Sequence, residues 1–93
     1  MTKEGKIVSA INKYLKDEGW FQVNLIHTSI NGIPDRLIFK GGRYIWIEIK
    51  EPNGRLSPIQ EYRIEQMIKQ GMEVYTVYSL NDLKEKIYGR ENS

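Results

Sequence analysis

The chain has 93 residues, 40% of them hydrophobic and 28% charged, which is the length of one domain (1–93) with a thin core. Fourteen Lys and Arg against twelve Asp and Glu leave a net charge of +2, which permits a nucleic-acid partner without demanding one. With no cysteine and a single histidine, His27, a disulfide scaffold, a thiolate metal site, a cysteine nucleophile and a two-histidine mechanism are all excluded. No apolar run approaches the ~18 residues of a membrane span, and no signal-peptide pattern opens the chain. The expectation is a small soluble intracellular protein that works with oxygen and nitrogen chemistry.

In chain order, Ile7, Val8, Ile11, Tyr14 and Leu15 recur at helical spacing and predict a helix over Glu4–Glu18, stopped by Gly19. Trp20–Thr28 alternates and is rich in β-formers, predicting a strand. Asn31-Gly32 is a turn signal, and Ile33-Pro34 holds the chain extended as it enters the next strand. Asp35–Lys40 and Arg43–Lys50 flank Gly41-Gly42 and predict a β-hairpin with a two-residue turn. After a loop over Glu51–Leu56, Ser57, Pro58 and Gln60 open a second helix as N-cap, first residue and capping-box partner, and Gly71 ends it. Met72–Tyr78 alternates as a fourth strand. Ser79 and Asp82 start a short last helix carrying Leu80, Leu83 and Ile87. The fold class is therefore mixed α/β, about four strands flanked by helices.

The hairpin carries the chemistry. A two-residue turn sets Lys40 opposite Arg43, so that 39 meets 44, 37 meets 46 and 35 meets 48. Asp35 thus lies across from Glu48, their β-carbons about 5 Å apart on one face. Two carboxylates so placed repel, and a folded chain keeps them only with protonation or a cation as compensation. Lys50 falls on the same face, while Ile45, Ile47 and Ile49 point the other way. Glu4 lies on the apolar stripe of the first helix; it reads either as a favourable acid near a helix N-terminus or as a further member of the cluster. Hard oxygen ligands at one strand end suit Mg²⁺ or Mn²⁺. The competing account of Asp35, Glu48 and Lys50 is a surface ion-pair cluster.

These residues also spell a motif. Pro34-Asp35, twelve intervening residues, then Glu48-Ile49-Lys50 resembles the PD-(D/E)XK nuclease signature, and the element order resembles the restriction-endonuclease-like αβββαβ core. Gly32–Ile38, Ile47–Lys50, Pro52, Arg55–Ser57, Gln60 and Gly71 together are similar to the VRR-NUC branch in its stand-alone phage or prophage form, over roughly Glu4–Tyr78. The resemblance implies that Asp35, Glu48 and the main-chain carbonyl of Ile49 bind the catalytic Mg²⁺ or Mn²⁺, with Glu4 reaching it through water. It implies that Lys50 holds or activates the attacking water. Gln60 matches a family glutamine near the site, a role it could share with capping. Arg55 and Ser57 would lie beside the scissile phosphate, and Arg36 and Lys6 are candidate phosphate contacts, as are Lys3, Lys13 and Lys16.

The implied activity is metal-dependent, structure-selective DNA endonuclease cleavage, similar to a Holliday-junction resolvase acting as a homodimer on branched or four-way DNA. The implied location is the cytoplasm of a bacterial host, without membrane association. A monomeric flap or nicking nuclease of the same fold, a catalytically idle nucleic-acid-binding module and a protein-interaction domain stay open as alternatives. No recognition helix with an Arg/Asn cluster is in view, so base-specific readout is not expected.

Overall fold

The computed structural model describes residues 2–89. Its elements are α1 (Lys3–Asp17), β1 (Phe21–Asn24), β2 (Arg36–Lys40), β3 (Arg43–Ile49), α2 (Pro58–Lys69), β4 (Val74–Val77) and α3 (Leu80–Tyr88). The sheet runs β1-β2-β3-β4. The first three strands are antiparallel neighbours, and β4 returns parallel to β3 after the α2 crossover. The mixed α/β architecture expected from the sequence is the one observed.

Local signals explain the boundaries. Thr2 caps α1 through the Gly5 amide at 2.9 Å. Gly19, at φ +86°, closes the helix: its amide reaches the Lys16 carbonyl at 3.1 Å and that of Trp20 reaches Leu15 at 2.9 Å. This is the left-handed glycine cap that satisfies the last helical carbonyls. Gly71 repeats it after α2, its amide on Ile68 and that of Met72 on Met67. Ser79 Oγ accepts the Asp82 amide at 3.0 Å and starts α3.

Period-two alternation then divides the sheet into two faces. On one, Ile38, Ile45, Ile47, Ile49 and Val77 pack with Ile11 and Leu15 of α1 and Leu83 and Ile87 of α3 to make the core. On the other, α2 lays buried Met67 near Trp46, whose strand partner Val74 is also buried, while Phe21 and Tyr44 stay exposed. Asp35 and Glu48 belong to this second face.

Two expectations are corrected. β1 ends at Asn24, not Thr28. Its partner β2 begins only at Arg36, after Pro34, so the ladder closes with the Leu25 amide on the Asp35 carbonyl at 2.8 Å. Beyond that point the alternating residues have no strand to pair with, and Ile26 stands 80% exposed. The fourth strand is likewise shorter, Val74–Val77, because Met72 is spent closing α2.

The segment between β1 and β2 is pinned at its far end by Gly32, which has φ +85° and lies against the first turn of α2. A β-carbon there would stand 2.6 Å from the Ile59 carbonyl oxygen. Gly32→Ala should therefore lose roughly 2–4 kcal/mol, combining left-handed strain with overpacking. Gly19→Ala, also at positive φ but with open space around it, should lose only about 1–2 kcal/mol. Chemical denaturation of the two variants measures the difference; equal losses would contradict the contact.

Candidate active site

The hairpin register places the two acids as the turn dictates. Arg36 pairs with Ile47 and Lys40 with Arg43, which puts Asp35 beside Glu48 one step past the ladder. The Asp35 amide donates to Glu48 Oε1 at 3.2 Å, and Lys50 Nζ lies 3.7 Å from Glu48 Oε2. Glu48 is only 5% exposed, so its carboxylate loses most of its hydration. Burial, then the neighbouring Asp35 charge, push its pKa up to about 7, against the pull of Lys50 and the Asp35 amide. The Asp35 carboxyl is also raised, chiefly by desolvation, with Arg36 pulling it down and Glu4 pushing it up.

Glu4 raises both acids, so the start of α1 brings its negative charge toward the same strand ends. The three acidic residues expected to cooperate are thus brought within electrostatic range of one another. Among the described residues no three acids are close enough to ligate one ion as they stand. The donor set nevertheless fits a hard divalent cation: a buried carboxylate and its neighbour, both held away from their ordinary ionisation, with one lysine as compensation.

A cleft of about 430 Å³ opens over the pair. Asp35 and Glu48 line it, Gln60 comes from the first turn of α2, and the segment from Leu25 to Ile33 makes the remaining wall. Gln60 serves the capping box as well: Ser57 donates its amide to Gln60 Oε1 at 2.9 Å, and Ser57 Oγ accepts the Gln60 amide at 3.3 Å. Capping fixes the side-chain amide at the edge of the cleft, so the two roles are compatible. A second cleft of about 310 Å³, between α2 and Trp46, holds no acid.

The expected phosphate contacts divide. Lys6 and Arg55 are exposed, and Ser57 is exposed at the α2 N-cap. Lys3 and Lys16 are exposed, while Lys13 is paired with Asp17 at 2.8 Å. Arg36 is a correction. It is 6% exposed on the core face, donating Nη1 to Asn12 Oδ1 and, at 3.2 Å, to Gln22 Oε1. Strand alternation puts it beneath α1, where no phosphate can reach it.

Sequence reasoning missed the cleft wall. His27 lies on it, together with Ile26 and Thr28, because the chain there is a loop where a strand was expected. The available signal was Pro34, which delays the start of β2 and leaves this segment without a partner.

Comparison with known proteins bears on the fold and the family. A solved VRR_NUC domain superposes with a TM-score of 0.83 at 26% identity, over 94% of this chain and 96% of that one. No curated protein matches. Residues 3–81 match the VRR-NUC domain, with the opposed acids, Lys50 and Gln60 all inside the matched span. The chain belongs to the VRR-NUC domain family, a nuclease-type family.

Proposed function

We propose that the protein is a metal-dependent DNA endonuclease that hydrolyses phosphodiester bonds in branched DNA as a homodimer. The observation that carries the reading is the opposed pair Asp35–Glu48, which lines an open cleft and has Lys50 beside it. Asp35, Glu48 and the Ile49 carbonyl would hold Mg²⁺ or Mn²⁺, with Glu4 in support. Bound there, the ion supplies Lewis acidity toward a phosphate oxygen and a bound water acidic enough to ionise near neutral pH.

The protein's own groups do the rest. Lys50 is a compact cation beside the acids, able to orient the attacking water and to compensate charge that accumulates on the phosphate. Asp35 donates its amide to Glu48 and so fixes the buried carboxylate that faces the cleft. Arg55 and Ser57, between the end of β3 and the start of α2, and Lys6 on α1 are the candidate contacts to flanking phosphates. The sequence offers no recognition helix with an Arg/Asn cluster, which favours recognition of DNA shape over sequence.

The exposed half of the second sheet face supports a dimer. Phe21, Phe39 and Tyr44 stack edge to face across three strands at 5.9 and 5.2 Å, with Phe21 67% and Tyr44 59% exposed. A two-fold pair of sites matches a four-way junction. The test compares four-way junction, single-flap and linear duplex DNA at one salt concentration, with Mn²⁺ and with excess EDTA. The junction should be cut best, only with the metal, by a species that sediments as a dimer. Equal cutting of all three by a monomer would instead identify a flap or nicking enzyme, and cutting that survives EDTA would overturn the metal.

A further inference from the structure

One titratable side chain of the cleft has no part in the carboxylate chemistry. His27 is exposed and lines the same cleft as Asp35 and Glu48. Its loop is held at several points. The Leu25 amide bonds the Asp35 carbonyl at 2.8 Å, Thr28 Oγ1 donates to the Ile30 carbonyl at 2.7 Å, and Arg63 Nε donates to the Asn31 carbonyl at 3.0 Å. Gly32 then seats the loop on Ile59. The loop that carries the imidazole is thus tied to the start of β2 and to α2.

Hydrolysis of a phosphodiester in this cleft has a second requirement. Water forms a new P–O bond while the bond from phosphorus to one bridging oxygen breaks, and that oxygen leaves with the electron pair. Sugar alkoxides are strongly basic, comparable to hydroxide, and depart readily only when protonated. Of the ionisable side chains that line the cleft among the described residues, Asp35 and Glu48 are used as ligands; Lys50, beside Glu48, compensates charge, and His27 is left for this step. Histidine is the side-chain type suited to give a proton near neutral pH.

We propose that His27 is a catalytic residue of this cleft, its imidazolium donating a proton to the departing bridging oxygen. The imidazole recovers a proton from solvent, and the proton lost by the attacking water returns to solvent, so the cycle consumes only water. This assignment rests on the nuclease reading above and adds to it the group that serves the leaving oxygen.

The test uses the full chain with Mn²⁺ and two junction substrates, one natural and one with sulfur at the bridging position that wild-type product ends identify as departing. Both His27→Ala and His27→Gln alter an exposed loop side chain and should melt with the wild type. On natural DNA each should be slower by about 100-fold or more, the contribution of a general acid. On the sulfur substrate each should come within about threefold of wild type, since thiols titrate near about 8.5 and leave unprotonated. Equal slowing on both substrates, or wild-type cutting of natural DNA by either variant, would overturn the role of His27 while the nuclease reading stands. A wild type that cuts neither substrate would overturn both.

Discussion

Glu48→Gln is expected to abolish cleavage and, in the metal-free protein, to raise the melting temperature at pH 7.5; Asp35→Asn should act in the same direction. The activity loss should be on the order of 10³-fold, since several kcal/mol of charge stabilisation is at stake. The stability gain follows from linkage. Glu48 titrates near 7 in the fold and near 4.5 when exposed, so the folded chain holds a proton that the unfolded chain has released across that window. Stability must then fall as pH rises from about 4.5 to about 7, and level off above it. For a side chain this buried the fall is on the order of 3 kcal/mol. In a domain of this size that moves the melting temperature by on the order of 10 °C. Glu48→Gln removes the part of the slope that Glu48 contributes, because a neutral amide has no proton to lose. Saturating Mn²⁺ should restore the wild type at pH 7.5 and leave the variant unmoved. Calorimetric melts at several pH values check each statement. A wild type equally stable at pH 5 and pH 7.5 would contradict the opposed-charge account of the pair.

Lys50→Met should lower single-turnover cleavage by about 10²–10³-fold, the loss expected when one preorganised charge stabiliser is removed. Metal binding should survive, because the ammonium is not a ligand. Its pH dependence should nevertheless move. Lys50 pulls the Glu48 carboxyl down, so its removal lets that carboxyl rise and shifts the onset of metal binding to higher pH. At pH 8.5 titration calorimetry should therefore find Mn²⁺ bound by a protein that scarcely cuts. Lys50→Arg should not rescue the rate, since a planar guanidinium cannot replace a compact ammonium 3.7 Å from Glu48. Wild-type turnover in Lys50→Met would return the lysine to a purely ion-pairing role.

The hairpin was legible because a two-residue glycine turn leaves one register, and the pairing of Lys40 with Arg43 carries Asp35 to Glu48 without further information. Ser57 and Gln60 were legible because capping is local. The length of β1 was not, since alternation of side chains persists whether or not a neighbouring strand is there to pair. Arg36 shows a pattern overruled by residue type. The alternation that put Ile38 inward also put Arg36 inward, yet its charge suggested a phosphate contact. The loop that carries His27 ends where Gly32 meets Ile59, a contact between segments far apart in sequence.

Arg36 has a consequence for how the protein responds to salt. Its guanidinium lies on the dry side of the sheet, one residue from Asp35, and draws down the Asp35 carboxyl from beneath. Mobile ions cannot enter that layer, and a buried charge is screened far less than an exposed one. Lys6 and Arg55 meet solvent directly, and their hold on phosphates weakens as ionic strength rises. Raising salt should thus strip DNA from the surface while the pull of Arg36 on Asp35 persists, so the grip on the substrate and the support of that carboxylate respond to separate environments.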